Sequence, residues 1–207
     1  MKRNWKDIKW IFEPDGSLID LYVQEVSLND WKKVIRLLNK KFKVKYNETN
    51  QIDENYLIKY LTDMVGEMES KSASIFLNEI QINCHFFLSD QIEFDIDPKE
   101  INSISDFESI EKFMIDISTE VDNQVILTGE NNPKFPLVKI DSNKKINKVL
   151  SESEVNQYRE NQNSILNRIK SIKTNIEMKL APNRFKEKLL KSTNELYKST
   201  KKEENVW

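Results

Sequence analysis

The chain has 207 residues, 38% of them hydrophobic and 32% charged, with a net charge of −2, one cysteine and one histidine. That length buries a sizeable core, no apolar run approaches the roughly 20 residues that span a bilayer, and a lone cysteine excludes an intramolecular disulfide. The expectation is a soluble protein of a reducing cytoplasm with no secretory leader, because the basic start, residues 1–7, has no apolar stretch behind it.

The charge is unevenly spread. Residues 1–150 carry 20 Lys and Arg against 26 Asp and Glu, a balance of −6, whereas residues 151–207 carry 12 against 8, a balance of +4. An acidic body repels nucleic-acid phosphates and suits a basic partner. The basic residues of the tail are interleaved with Glu and Asn and have no aromatic ladder, so nucleic-acid binding is not expected.

In chain order, residues 8–13 and 18–23 flank Pro14-Asp15-Gly16-Ser17 and predict a β-hairpin: Pro presets φ, Asp bonds back to the backbone and Gly accepts positive φ. Ser27 or Asn29 then caps a helix whose Trp31, Val34, Ile35, Leu38 and Phe42 form one buried stripe, with Lys32, Lys33, Arg36 and Lys40 facing away. Asp53 caps a second helix with Leu57, Tyr60, Leu61, Met64, Val65 and Met68 inward.

Strand character follows at 75–77, 80–88 and 92–97, the last alternating between apolar and acidic residues until Pro98 ends it. Ser105 to Glu108 reads as a capping box opening a helix with Phe107, Ile110, Met114, Ile117 and Val121 inward, and further strands are expected at 125–128 and 137–140.

The run Ser27-Leu28-Asn29-Asp30-Trp31 recurs 76 positions later as Ser103-Ile104-Ser105-Asp106-Phe107, each copy after an expected hairpin. The implied architecture is α+β: a body over 1–148 whose antiparallel sheet comes from two related ββα units, about 8–46 and 80–128, with helices packed on one face. Residues 149–207 predict a C-terminal α-helical hairpin. Its first helix carries Val155, Tyr158, Ile165, Ile169, Ile172 and Ile176 in a heptad-like seam with Gln162 inside it, and Pro182 separates the second helix. That seam packs on the body or on another copy of the chain, making a homo-oligomer.

Three glycines and no nucleotide-binding, zincin or nucleophile-elbow motif leave no basis for a cofactor. Cys84 and His85 are adjacent on a strand, where neighbours point to opposite faces, so they form no catalytic pair and, alone, no zinc site. They read as a core or interface cysteine and a surface histidine.

The chemical candidate is the acidic row Glu93, Asp95 and Asp97, with Glu100 just beyond. Such a row can hold a hard divalent ion, as in a metal-dependent nuclease or hydrolase. It can equally be a negatively charged surface that speeds docking to a basic partner. With no Lys or His expected beside it, the row favours recognition; neither a metal nor catalysis is expected.

Residues 5–18 with Asp30-Trp31, and the segment Ile92-Glu93-Phe94-Asp95-Ile96-Asp97-Pro98 with Leu127-Thr128-Gly129-Glu130-Asn131, resemble bacterial immunity proteins of polymorphic or contact-dependent toxin systems. The resemblance covers about the first 140 residues. It implies an inhibitor that binds one cognate toxin and has no catalysis of its own.

Overall fold

The computed structural model describes residues 4–63, 65–69, 72–141, 146–157, 160 and 170. The chain divides into two compact units, Met1–Glu152 and Ser153–Trp207. In the first, eight strands form one sheet: β1 (Ile19–Gln24), β2 (Lys43–Lys45), β3 (Ser72–Leu77), β4 (Ile80–Leu88), β5 (Gln91–Ile96), β6 (Val125–Gly129), β7 (Pro136–Asp141) and β8 (Ile146–Val149). Their spatial order is β2-β3-β4-β5-β1-β6-β7-β8, and every neighbouring pair is antiparallel.

Among the described residues of this unit, α1 (Trp5–Ile8) precedes β1, and α2 (Leu28–Lys41), α3 (Glu54–Leu61) and α4 (Ile104–Val121) connect strands. One face of the sheet carries the larger apolar core. Leu21, Val23, Ile75, Ile82, Cys84, Ile92, Phe94, Leu127 and Val138 are buried there together with Trp31, Val34, Ile35 and Leu38 of α2 and Phe107, Ile110, Phe113, Met114 and Ile117 of α4. On the other face, Asp20, Tyr22, Asp95, Ile126 and Thr128 are buried as well. An α+β class with one antiparallel sheet thus follows from two strong helical stripes and a set of alternating strands.

The repeated motif is a pair of helix starts. Ser27 accepts from the Asp30 amide while Asp30 reaches back to the Ser27 amide, a reciprocal capping box. In the second copy Ser103, not Ser105, is the N-cap. It accepts from the Asp106 amide, and Asp106 accepts from Asn102. The helix thus begins two residues earlier than the Ser105 to Glu108 capping box implies, with Asp106 at the third helical position and its carboxylate on the Asn102 amide rather than on the N-cap's own.

The first expected hairpin does not form. Residues 5–12 are helical, as α1 and then a 3-10 turn over Lys9–Phe12, so β1 pairs with β5 and β6 instead of with residues 8–13. Ile8, Ile11 and Phe12 are the buried residues, a helical i, i+3, i+4 spacing concealed inside an apolar run. Asn4 caps the segment, Trp5 stacks on Phe12, and Phe12 meets Phe107 of α4 edge-on at 5.9 Å. The Pro14-Asp15-Gly16 turn is present, with Gly16 at φ +97 and Asp15 accepting from the Ser17 amide. It leads a helical turn into β1. Only the second copy, β4-β5-α4, is a ββα unit.

Helix α3 also ends earlier than its apolar pattern suggests. Thr62 bonds back to the Ile58 carbonyl, and Asp63 accepts from the amides of Val65 and Met68, folding the chain into a turn that leaves Val65 76% exposed. Among the described residues of α3 only Leu57 is buried.

In the second unit, residues 153–157, 160 and 170 are helical, and Val155 is buried. Tyr158, Ile165, Ile169, Ile172 and Ile176 of the expected seam lie outside the described residues.

Candidate functional site

Antiparallel register fixes which side chains share the sheet face opposite α2 and α4. Asn83 of β4, Asp95 of β5, Asp20 of β1 and Thr128 of β6 lie side by side, and in the next row stand His85, Glu93, Tyr22 and Ile126. Cross-strand neighbours on one face approach within contact distance. The centre of the sheet therefore carries a polar block of three carboxylates, an imidazole, a phenol and an amide.

The acidic row was expected to be solvated; Asp95 is instead buried and fully engaged. One of its oxygens accepts from Asn83 at 2.7 Å and the other bonds the His85 ring. Asn83 is oriented in turn by Gln81 at 2.8 Å and Ser74 at 3.3 Å. Burial alone would raise the Asp95 pKa, but the bonds from His85 and Asn83 outweigh it and hold the carboxyl below the usual value. The same bond raises His85 above the usual imidazole value, against the opposing effect of burial. His85 is thus a paired group rather than a plain surface histidine.

Asp20, the cross-strand neighbour of Asp95, is buried as well. Its Oδ2 accepts from the Tyr22 hydroxyl at 2.7 Å and from the Asn131 amide at 2.6 Å. Burial still raises its pKa, as does the nearby Asp95 charge. Burial likewise raises Glu93, with Asp20 adding to it and His85 opposing, while Tyr22 is pushed up by burial and by its bond to Asp20.

The other two acids of the row leave it. Asp97 caps a 3-10 turn by accepting from the Lys99 amide, and Glu100 accepts from the Gln81 amide at 2.6 Å, closing the start of β4. Glu93, Asp95, Asp97 and Glu100 therefore do not converge. Among the described residues no group of three or more His, Cys, Asp or Glu side chains is placed to hold a metal ion.

Cys84 points into the core on the opposite face from His85, and burial raises its thiol pKa well above the usual value. A protonated core thiol is inert.

Sequence reading missed Asp20, Tyr22 and Asn83. The alternation of residues 18–23 places Asp20 and Tyr22 on one face, and the signal was there, but their meeting with β5 required knowing that β1 inserts between β5 and β6.

Residues 18–26 and 80–97, which include all of β1, β4 and β5, hold Asp20, Glu25, Asp90, Glu93, Asp95 and Asp97 and no Lys or Arg. With Asp20 and Asp95 tied inside the block, Glu93 remains half-buried and Glu25 and Asp90 are exposed. No helix among the described residues is long and apolar enough to cross a membrane. Compared with protein-family models, with curated proteins and with solved structures, the chain matches none.

Proposed function

We propose that the chain is a non-catalytic protein-binding protein, a bacterial immunity protein that neutralises a cognate toxin in the cytoplasm by direct contact. The observation that carries this reading is that three adjacent central strands and the turns at their ends, residues 18–26 and 80–97, hold six carboxylates and no Lys or Arg. A single-sign surface on a rigid sheet speeds encounter with an oppositely charged partner and selects against others. The partner implied is a basic protein.

The acids divide the work. Asp95 and Asp20 are held by internal donors and set the shape of the sheet face, whereas Glu25, Asp90 and Glu93 supply the outward charge. Beyond the body, the spacing of Val155, Tyr158, Ile165, Ile169, Ile172 and Ile176 supports a C-terminal helical hairpin, and pairing of that seam with a second copy of the chain would make a homo-oligomer.

The products of neighbouring genes, expressed one at a time, provide the test. One basic product is expected to arrest growth, and co-expression of this chain to restore it. Asp90→Lys with Glu25→Lys, both at exposed positions, should lower protection at least about tenfold through slower association, with an unchanged unfolding midpoint. Full protection by the doubly reversed chain, or the absence of any product that the chain neutralises, would contradict the reading.

A further inference from the structure

Two large apolar side chains stand in solvent at the end of β4. Phe87 is 57% exposed and Leu88 50%. Up to Phe86 the strand alternates regularly, with Ile80, Ile82, Cys84 and Phe86 in the core, so Leu88 would be expected to follow them inward. It does not, because the register of β4 against β5 shifts between His85 and Leu88. An irregularity of this kind re-aims side chains. Here it brings Leu88 into solvent beside Phe87, which already shares the outer face with His85.

The tip is braced from both faces of the sheet. On the core side, the Trp31 indole N–H donates to the Leu88 carbonyl at 3.2 Å, and the Trp31 ring packs on Phe86. On the opposite side, the His85 ring lies flat against Phe87, with centroids 4.9 Å and planes 7° apart. His85 is fixed by Asp95, and Asp95 by Asn83. A chain of hydrogen bonds thus holds an exposed phenylalanine in one orientation. Ordering a side chain before docking removes part of the entropy that binding otherwise costs.

Beyond His85, which covers one face of Phe87, the charged groups of the two neighbouring segments are acidic. Glu93 sits directly across from His85, and the Val26 amide donates to the Asp90 carbonyl at 3.0 Å, bringing Glu25 beside the turn. No Lys or Arg occurs in 18–26 or 80–97. An aromatic face bordered by carboxylates suits a guanidinium, which stacks on the ring and forks to the acid, better than it suits a compact ammonium.

We propose that Phe87 and Leu88 form a preorganised anchor for an arginine-bearing protein surface, with Glu93, Asp90 and Glu25 as its charged rim. This rests on the reading of the chain as a protein-binding protein and names the place and chemistry of contact.

The test is an NMR titration of the full ¹⁵N-labelled chain with a synthetic peptide of alternating arginine and leucine, and with its glutamate counterpart. The arginine peptide should give saturable shifts concentrated at residues 85–93 and at Glu25 and Val26, and the glutamate peptide none. Phe87→Ala, at an exposed position that leaves the core intact, should weaken binding about tenfold or more, while Phe87→Tyr retains it. Undiminished binding by Phe87→Ala together with loss on Glu93→Gln would overturn the anchor and leave the acidic-surface reading standing. Failure of the arginine peptide to bind would overturn both. Shifts at Phe87 that track chain concentration without peptide would identify a second copy as the occupant and overturn the arginine-bearing partner.

Discussion

Trp31→Ala is expected to cost about 3–5 kcal/mol of folding stability, the range for removing a large aromatic side chain from a packed core. Trp31 is fully buried, packs on Phe86 at 5.5 Å and begins the α2 stripe that runs through Val34, Ile35 and Leu38. A domain of this size has about 5–15 kcal/mol in all, so the variant should sit near its unfolding threshold. Urea denaturation measures the loss. Trp31→Phe keeps one ring but loses the second ring of the indole and the N–H that meets Leu88, so an intermediate loss of about 2–3 kcal/mol is expected. Amide exchange at the tip should then rise more than elsewhere. A loss under about 1 kcal/mol for Trp31→Ala would contradict the packing described.

Asp95→Ala should have the second largest effect, about 2–4 kcal/mol, because it leaves His85 and Asn83 without their shared acceptor at a buried position. Relief of the repulsion between Asp95 and Asp20 offsets part of that cost. The pH dependence carries a signature. His85 has its folded-state pKa raised from 6.5, so its contribution is complete below about 6.5 and is lost as pH rises through the raised value. Asp95 has its pKa lowered from 3.8, so its contribution is present above that value and lost as pH falls through the lowered one. Asp20 and Glu93, both raised, cost stability as they ionise with rising pH. Wild type should therefore lose stability as pH rises above 6.5, and Asp95→Ala should lose less across the same interval. Parallel curves for the two proteins would count against the pairing.

What could be read from the sequence depended on how local the signal was. The α2 and α4 stripes were legible because Trp31, Val34, Ile35 and Leu38, and Phe107, Ile110, Met114, Ile117 and Val121, each repeat at helical spacing behind a Ser-Asp cap. The β4 and β5 strands were legible from strict alternation. The segment 8–13 was not, since a short apolar run serves a strand or a buried helical turn equally and the Pro-Asp-Gly turn tipped the balance toward a hairpin. The edge strands β2 and β8 escaped because Lys43-Val44-Lys45 and Ile146-Asn147-Lys148-Val149 are short and lysine-bearing, as edge strands often are.

The candidate site was half legible for the same reason. Alternation exposed Glu93 and Asp95 as one row, but whether such a row is solvated depends on what the neighbouring strands contribute. Here β4 places His85 and Asn83, and β1 places Asp20 and Tyr22, against it. The lone histidine, read as a surface residue, became the partner of the central acid. Alternation places Phe87 on the outer face with His85 but would have hidden Leu88, which only the register shift brings out.

The acidic row is divided: Asp95 is locked to His85 inside the sheet face, whereas Glu93 stands half-buried beside it. His85 is the only imidazole in the chain, so its ring protons report the pairing without ambiguity. Proton NMR of those resonances across pH should show one titration with a midpoint above 6.5 in wild type, returning toward 6.5 in Asp95→Asn, and the stacked Phe87 ring protons should move with it. A wild-type midpoint at or below 6.5, or one that Asp95→Asn leaves unmoved, would contradict the account.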